Sequence, residues 1–357
     1  MKTVKNEPRT TTSSPGAGQS LRILFLADTH LGYDLPFRPR VERRRRGHDF
    51  FANYERALAP AVRGEVDLVV HGGDLFFRTR VPPLLVEMAL EPLAQIAKQG
   101  TLVFLVPGNH ERSRIPGHLL AAQPNLFIFH RPETFLFQIR SQKVAISGFP
   151  FHRQVGEQFE QLLDQTGYLD VEAGIRLLCL HQAVEGAIVG PANFTFRRGP
   201  DVIPGRSIPP GFTAVLSGHI HRAQTLTHDL AGRPLAAPVI YPGSIERTAF
   251  AERHEDKCYV KLEIRQTTGA SKPLLDIKFI KLPARPMVVL ALDGRDKDFV
   301  DLHEEIGLRL QDLPPDAVVR LDLAGPLVEG VEEQLSAAWL RSLARPTMNV
   351  NLGRLES

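Results

Sequence analysis

The sequence has 357 residues, with 43 basic against 40 acidic side chains, 43% hydrophobic and 23% charged residues. That is the balance of an ordinary globular chain, and the length suggests about two domains, each large enough for its own core. No apolar run reaches the roughly 18 residues of a membrane-spanning helix, and residues 1–20 lack the apolar stretch of a secretory signal, so both readings are excluded.

Residues 1–20 are rich in Thr, Ser, Pro and Gly and read as a disordered leader. From Leu21 the pattern changes to short apolar runs at 21–27, 66–71, 101–106, 143–147, 175–180 and 213–217. These runs do not alternate, which marks strands buried on both faces. A helix lies between the first two, with Phe51, Tyr54, Leu58 and Val62 at helical spacing, and residues 84–99 form another, closed by Gly100. Strand and helix in alternation predict an α/β sheet covered by helices. The runs at 238–241, 257–265 and 274–280 alternate more and have no helices between them, which predicts a second sheet packed on the first. After Leu282-Pro283-Ala284-Arg285-Pro286 the pattern restarts as a small β-α-β-α-β unit: strands 287–292, 317–323 and 347–352, helices 297–311 and 331–344. A domain boundary at about 283 follows.

Charge is uneven along the chain. Residues 284–357 carry 13 acidic and 8 basic side chains, and residues 1–283 carry 35 basic and 27 acidic. A polyanion would therefore be drawn to the larger N-terminal part. Its densest cluster, Arg38, Arg40, Arg43, Arg44, Arg45 and Arg46, reads equally as a phosphate contact, through Arg44 and Arg45 above all, and as a solvated loop. The two cysteines, Cys179 and Cys258, sit in strand-like runs and read as buried reduced thiols of a cytoplasmic protein.

Thirteen histidines are more than packing requires, and five motifs fall just after strands. They are Asp28-Thr29-His30, Gly72-Gly73-Asp74, Gly108-Asn109-His110-Glu111, His181 and Gly218-His219-Ile220-His221. The carboxyl ends of strands in an open α/β sheet converge on one crevice, so the motifs share a site. Carboxylates, an amide and imidazoles together make a metal site by composition. With His110 held back for catalysis, Asp28, His30, Asp74, Asn109, His181, His219 and His221 remain. If Asp74 bridges, each of two ions receives four protein ligands. Two ions about 3.5–4 Å apart suit the in-line displacement at a phosphate ester. Glu111 reads as an orienting group and His71 as a packing residue or a neighbour of the ligands. Arg112 and Arg114 read equally as phosphate contacts and as loop residues.

D-x-H, G-D, G-N-H-E, H and G-H-x-H in this order resemble the calcineurin-like metallophosphoesterase superfamily. The resemblance implies a double β-sandwich flanked by helices over about 21–282. It implies that Asp28, His30, Asp74 and His221 hold one ion, that Asp74, Asn109, His181 and His219 hold the other, and that His110 is the acid. Asp28-Thr29-His30-Leu31-Gly32, Gly73-Asp74-Leu75-Phe76 and Tyr241-Pro242-Gly243-Ser244-Ile245-Glu246-Arg247 are similar to SbcD-type DNA-repair exonucleases, which carry a small α+β capping domain where residues 283–357 stand. That narrower resemblance implies Mn2+ as the metal, with Mg2+, Fe2+ and Zn2+ as alternatives. As partners it implies DNA, a coiled-coil ATPase of SbcC type and a second copy of the chain. Two departures stand out. Phe77 occupies a position where that family usually has His or Asp, and it reads either as a base-stacking ring with weaker exonuclease action or as a ring packed with Phe76 under the cap. Members that engage the ATPase generally continue past the cap, and this sequence ends at Ser357. Three functions remain open at this point: a DNA exonuclease or endonuclease, a phosphoesterase for a small nucleotide or a phosphoprotein, and a metal-binding scaffold.

Overall fold

The computed structural model describes residues 4–10, 20–34, 45–111, 123–266 and 273–355. The strands in chain order begin with β1 (Val4–Thr10), β2 (Ser20–Leu26), β3 (Leu68–His71), β4 (Leu102–Leu105), β5 (Leu126–Ile128), β6 (Glu133–Ile139), β7 (Gln142–Gly148) and β8 (Ile175–His181). Four two-residue strands follow: β9 (Ala183–Val184), β10 (Ile188–Val189), β11 (Phe194–Thr195) and β12 (Val202–Ile203). The set continues with β13 (Ala214–Gly218), β14 (Gln224–His228), β15 (Pro234–Tyr241), β16 (Lys257–Arg265), β17 (Leu274–Leu282), β18 (Met287–Asp293), β19 (Val318–Ala324) and β20 (Asn349–Leu355). The helices are α1 (Arg46–Val62), α2 (Pro83–Lys98), α3 (Val155–Gln165), α4 (Phe299–Gln311), α5 (Val331–Gln334) and α6 (Ala337–Leu343). No described helix is long and apolar enough to cross a membrane.

The chain divides into two compact units. The first comprises Met1–Tyr33, Phe50–Glu246 and Glu255–Leu282, and the second Asp34–Asp49, Arg247–His254 and Pro283–Ser357. In the first, a seven-stranded sheet in the order β1-β6-β7-β8-β13-β15-β14 faces a six-stranded sheet in the order β17-β16-β2-β3-β4-β5. Phe25, Val70 and Phe104 of one sheet meet Phe135, Ile146, Leu177 and Leu216 of the other in one buried cluster. Phe104 alone has the rings of Phe127, Phe129, Phe135 and Phe137 within 6.1 Å. Full burial of such a side chain stabilises by about 1.5–3 kcal/mol. The opposite face of the seven-stranded sheet packs on α3 through Leu178, Val215, Tyr241 and Phe159. Each central strand is thus covered on both faces, which is why the runs do not alternate.

Several sequence expectations change here. The late strands do not make a sheet of their own. β16 and β17 extend the sheet of β2–β5, while β15 joins the sheet of β7, β8 and β13. Alternation in β17 reflects its edge position rather than a separate layer. Val4–Thr10, inside the expected leader, pairs in parallel with β6. Backbone hydrogen bonding along an open edge needs no apolar pattern, so composition could not reveal it. β5 and β6 were missed altogether. The buried stripe of α1 runs through Phe50, Tyr54, Ala57, Leu58 and Ala61, and Val62 faces solvent.

In the second unit β18, β19 and β20 form a parallel sheet whose Leu321 packs with Leu302, Ile306 and Leu340. The Asp298 side chain accepts from Val300 and Asp301 N–H in a capping box that starts α4. The expected helix 331–344 is broken, because extended Leu335 is buried and Ser336 caps a fresh start, accepting from Trp339 N–H. Arg285 is almost completely buried. It donates to the Asp49 carboxylate at 3.1 Å, the Asn349 amide oxygen at 2.6 Å and the carbonyls of Asp316 and Thr347.

Candidate metal centre

All five motifs lie in the first unit, at the carboxyl ends of β2, β3, β4, β8 and β13. Beyond β2 and β3 the two chains continue to pair. Asp28 N–H donates to Gly73 O at 2.9 Å, His30 N–H to Asp74 O at 3.0 Å and Leu31 N–H to Leu75 O at 2.9 Å. Asp28, His30, Asp74 and His219 all have positive φ, between 44° and 83°. This left-handed backbone is costly for side chains other than glycine, and it collects where a fold is forced to aim groups at one point. Gly73 and Gly108 show why. A Cβ on Gly73 would collide with the His181 ring, and one on Gly108 with the Asp74 carboxylate.

Asp74 is the hub. Its Oδ1 lies 3.4 Å from His181 Nε2, and its Oδ2 lies 4.0 Å from His30 Nε2 and 3.7 Å from His110 Nε2. On one side Asp28, His30 and His221 bring their ligand atoms within 4.8 Å of one another. On the other, the Asn109 Oδ1 is 3.1 Å from His181 Nε2 and 3.0 Å from His219 Nδ1. His181 Nδ1–H donates to Gly72 O at 2.7 Å, which directs Nε2 at the cluster. His110 is turned similarly, since its Nδ1–H donates to Phe77 O at 2.6 Å.

Behind these groups stands a fully paired support. Thr29 Oγ1–H donates to Leu75 O and accepts from His71 Nε2–H, while His71 Nδ1 accepts from Gly73 N–H. The buried Glu111 carboxylate accepts from Phe76 N–H and Gly108 N–H, both at 2.8 Å, and so ties the Asp74 loop to the Asn109 loop. Buried Lys257 donates to His221 O at 3.2 Å and Ser244 Oγ at 2.9 Å, and Ser244 N–H donates to the same His221 carbonyl. Thr29, Ser244 and Lys257 were not visible as site residues in the sequence. A lysine opening a strand carries no mark of burial.

The cluster does not satisfy itself. His30 Nε2 and His221 Nε2 stand 2.9 Å apart, and His30 Nδ1 is buried without a partner among the described residues. Burial pushes the Asp28 carboxyl up to about 6, while burial and the neighbouring His221 hold His30 well below its ordinary value. Burial and His181 bring His219 down to about 3. Burial alone would raise Asp74, but His181 beside it prevails and holds it below the carboxylate range. Burial likewise opposes charge on His181, yet Asp74 pushes it up to about 9. Burial, then the nearby Asp74, lifts Glu111 to about 8. These residues fit divalent cations. Two donors each about 2.1 Å from one ion at a right angle stand about 3.0 Å apart, the spacing seen here.

Residues 21–223 match the calcineurin-like phosphoesterase family. The chain belongs to that family. It is a hydrolase of the metallophosphoesterase kind, and its mixed α/β architecture of two packed sheets flanked by helices is the family's. Its relatives include the DNA double-strand break repair protein Mre11 of Methanosarcina mazei, 28% identical over 86% of this chain and 46% of that protein. Mre11 of Archaeoglobus fulgidus is 26% identical over 79% of this chain and 65% of that protein. Mre11 of Saccharolobus solfataricus is 25% identical over 80% and 70%. The chain spans about half to two thirds of the length of the first of these relatives. Among solved structures, a dimetal phosphatase from Danio rerio aligns over 71% of this chain and 98% of its own, at 12% identity and a TM-score of 0.41.

The expected substrate contacts fare unevenly. Arg44, Arg112, Arg114, Arg38, Arg40 and Arg43 lie outside the described residues. Arg45 is ion-paired with Asp34 at 2.8 Å, and buried Arg46 donates to Arg247 O at 2.6 Å; both belong to the second unit. These two guanidiniums are engaged inside the protein, which weakens their reading as phosphate contacts. Phe77 is partly buried, its ring 4.8 Å from Tyr33, 6.0 Å from His30 and 5.9 Å from His110.

Proposed function

We propose that the protein is a two-metal phosphodiesterase acting on DNA, an exonuclease and endonuclease of SbcD type. The observation that carries this reading is the convergence of Asp28, His30, Asp74, Asn109, His181, His219 and His221, with the two Asp74 oxygens facing opposite groups. Asp28, His30, Asp74 and His221 would hold one ion, and Asp74, Asn109, His181 and His219 the other. When bound, two divalent ions polarise the phosphoryl oxygens, activate water and neutralise developing charge. Mn2+ is the metal we favour, with Mg2+, Fe2+ and Zn2+ as alternatives.

The chain's own residues do the rest. Phe77 O fixes the His110 ring, so Nε2 faces the phosphate position, and the imidazolium form can give that proton to the leaving oxygen. Glu111 holds the backbone that carries Asn109 and His110. Similarity to the Mre11 proteins favours DNA as the substrate, and the same likeness extends the proposal to partners: a coiled-coil ATPase of SbcC type and a second copy of the chain.

Digestion of end-labelled single- and double-stranded DNA by chelator-stripped protein tests the reading. Added Mn2+ should restore cleavage that EDTA abolished. Undiminished cleavage in excess chelator would contradict it.

A further inference from the structure

Directly after His221, two side chains reach to one short hairpin. Arg222 donates to Asn193 Oδ1 at 2.7 Å and to Gly190 O at 3.1 Å, and is braced by Glu255 at 3.2 Å. The Gln224 side chain pairs reciprocally with Ile188, accepting from its N–H at 2.9 Å and donating to its O at 2.8 Å. The hairpin, β10 and β11 joined through Gly190-Pro191-Ala192-Asn193, is thereby locked one arginine side chain away from a candidate metal ligand.

What this hairpin displays is unusual for a tied-down element. Phe194 is 60% exposed, propped edge-on by Phe196 at 5.4 Å, and Phe196 packs on the core under β8 and β13. Arg197 and Arg198 follow at once, both exposed, and neither has a carboxylate partner among the described residues. Over residues 187–206 three arginines stand against the single acid Asp201, which is occupied by Gln154 N–H at 2.7 Å. A lone exposed phenyl ring is ordinary. Here an exposed ring is propped on a second ring and followed three and four residues later by guanidiniums with no carboxylate partner among the described residues. On a hairpin tied to the residue after His221, that is a combination that can grip unpaired bases and their backbone.

We propose that the β10–β11 hairpin is a contact for single-stranded nucleic acid, Phe194 stacking on a base while Arg197 and Arg198 hold phosphates. It rests on the DNA reading above and adds to it the strandedness of the substrate where it passes His221. Bases stacked inside a duplex offer no free face, so the ring selects unpaired bases over the interior of a duplex.

Binding of a labelled single-stranded oligonucleotide to the chelator-stripped full chain, followed by anisotropy across a salt series, is the test. Phe194→Ala should weaken binding about 5- to 150-fold. Phe194→Leu should fail alike, and Phe194→Trp should restore binding. Replacing both arginines (Arg197→Ser with Arg198→Ser) should flatten the salt slope by about 1.4. The chain has one tryptophan, Trp339, so Phe194→Trp in a Trp339→Phe background supplies a lone fluorophore that a stacked base should quench. Unchanged thermal midpoints establish that the variants are folded. Wild-type affinity and slope in every variant, with no quenching, would overturn the hairpin's role and leave the DNA reading standing. Failure of the wild-type chain itself to bind any DNA would remove both.

Discussion

Two polar clusters in this molecule are both largely buried and both charged, and they differ in what they leave undone. In the second unit Arg285 meets Asp49, Asn349 and two carbonyls, and every partner is protein. In the first unit the motif side chains also bury charge, but imidazole nitrogen faces imidazole nitrogen at 2.9 Å and one carboxyl is pushed up to about 6. A polar cluster that closes on itself is a structural rivet. One that the fold forces together against its own electrostatics is a seat for something else, here cations.

The sharpest break of that comparison is Asp74→Ala, which removes the carboxylate whose two oxygens lie toward His181 on one side and His30 and His110 on the other. Hydrolysis should fall below detection and bound metal should vanish, measured by elemental analysis after dialysis. His110→Ala comes next: rate should fall about 10²–10⁴-fold with metal content kept. Equal metal loss in both variants would make His110 a ligand. Arg285→Leu removes the guanidinium from which Asp49, Asn349 and two carbonyls accept, and should cost about 3–5 kcal/mol in the second unit, followed through the fluorescence of Trp339, with metal content unchanged. Lys257→Met is the subtlest. It removes one of the two donors to the His221 carbonyl, leaving Ser244 N–H, and should weaken one ion about 10–100-fold while the other, near Asn109 and His219, stays. Loss of both ions together, or of neither, would contradict the assignment of Lys257 to His221.

Much of this was legible in the sequence because strand ends in an α/β sheet converge, so order along the chain predicted proximity in space. The ligand motifs were read that way, whereas the restart at Pro283 was read from proline punctuation and a renewed strand-and-helix pattern. What escaped was decided by distant backbone. The β1 pairing depends on a free edge at β6, and the sheet membership of β15, β16 and β17 depends on register with β13 and β2. Lys257 and Thr29 act through a carbonyl and an imidazole that no local pattern announces. Arg45 and Arg46 mark the limit of charge density as a signal, which does not reveal which charges meet partners inside the protein.

Calorimetric titration of Mn2+ into chelator-stripped wild-type protein tests the central claim most directly. The account predicts about two ions per chain, with heat released at both sites and none in Asp74→Ala. A single ion per chain, or full binding that persists without Asp74, would contradict it.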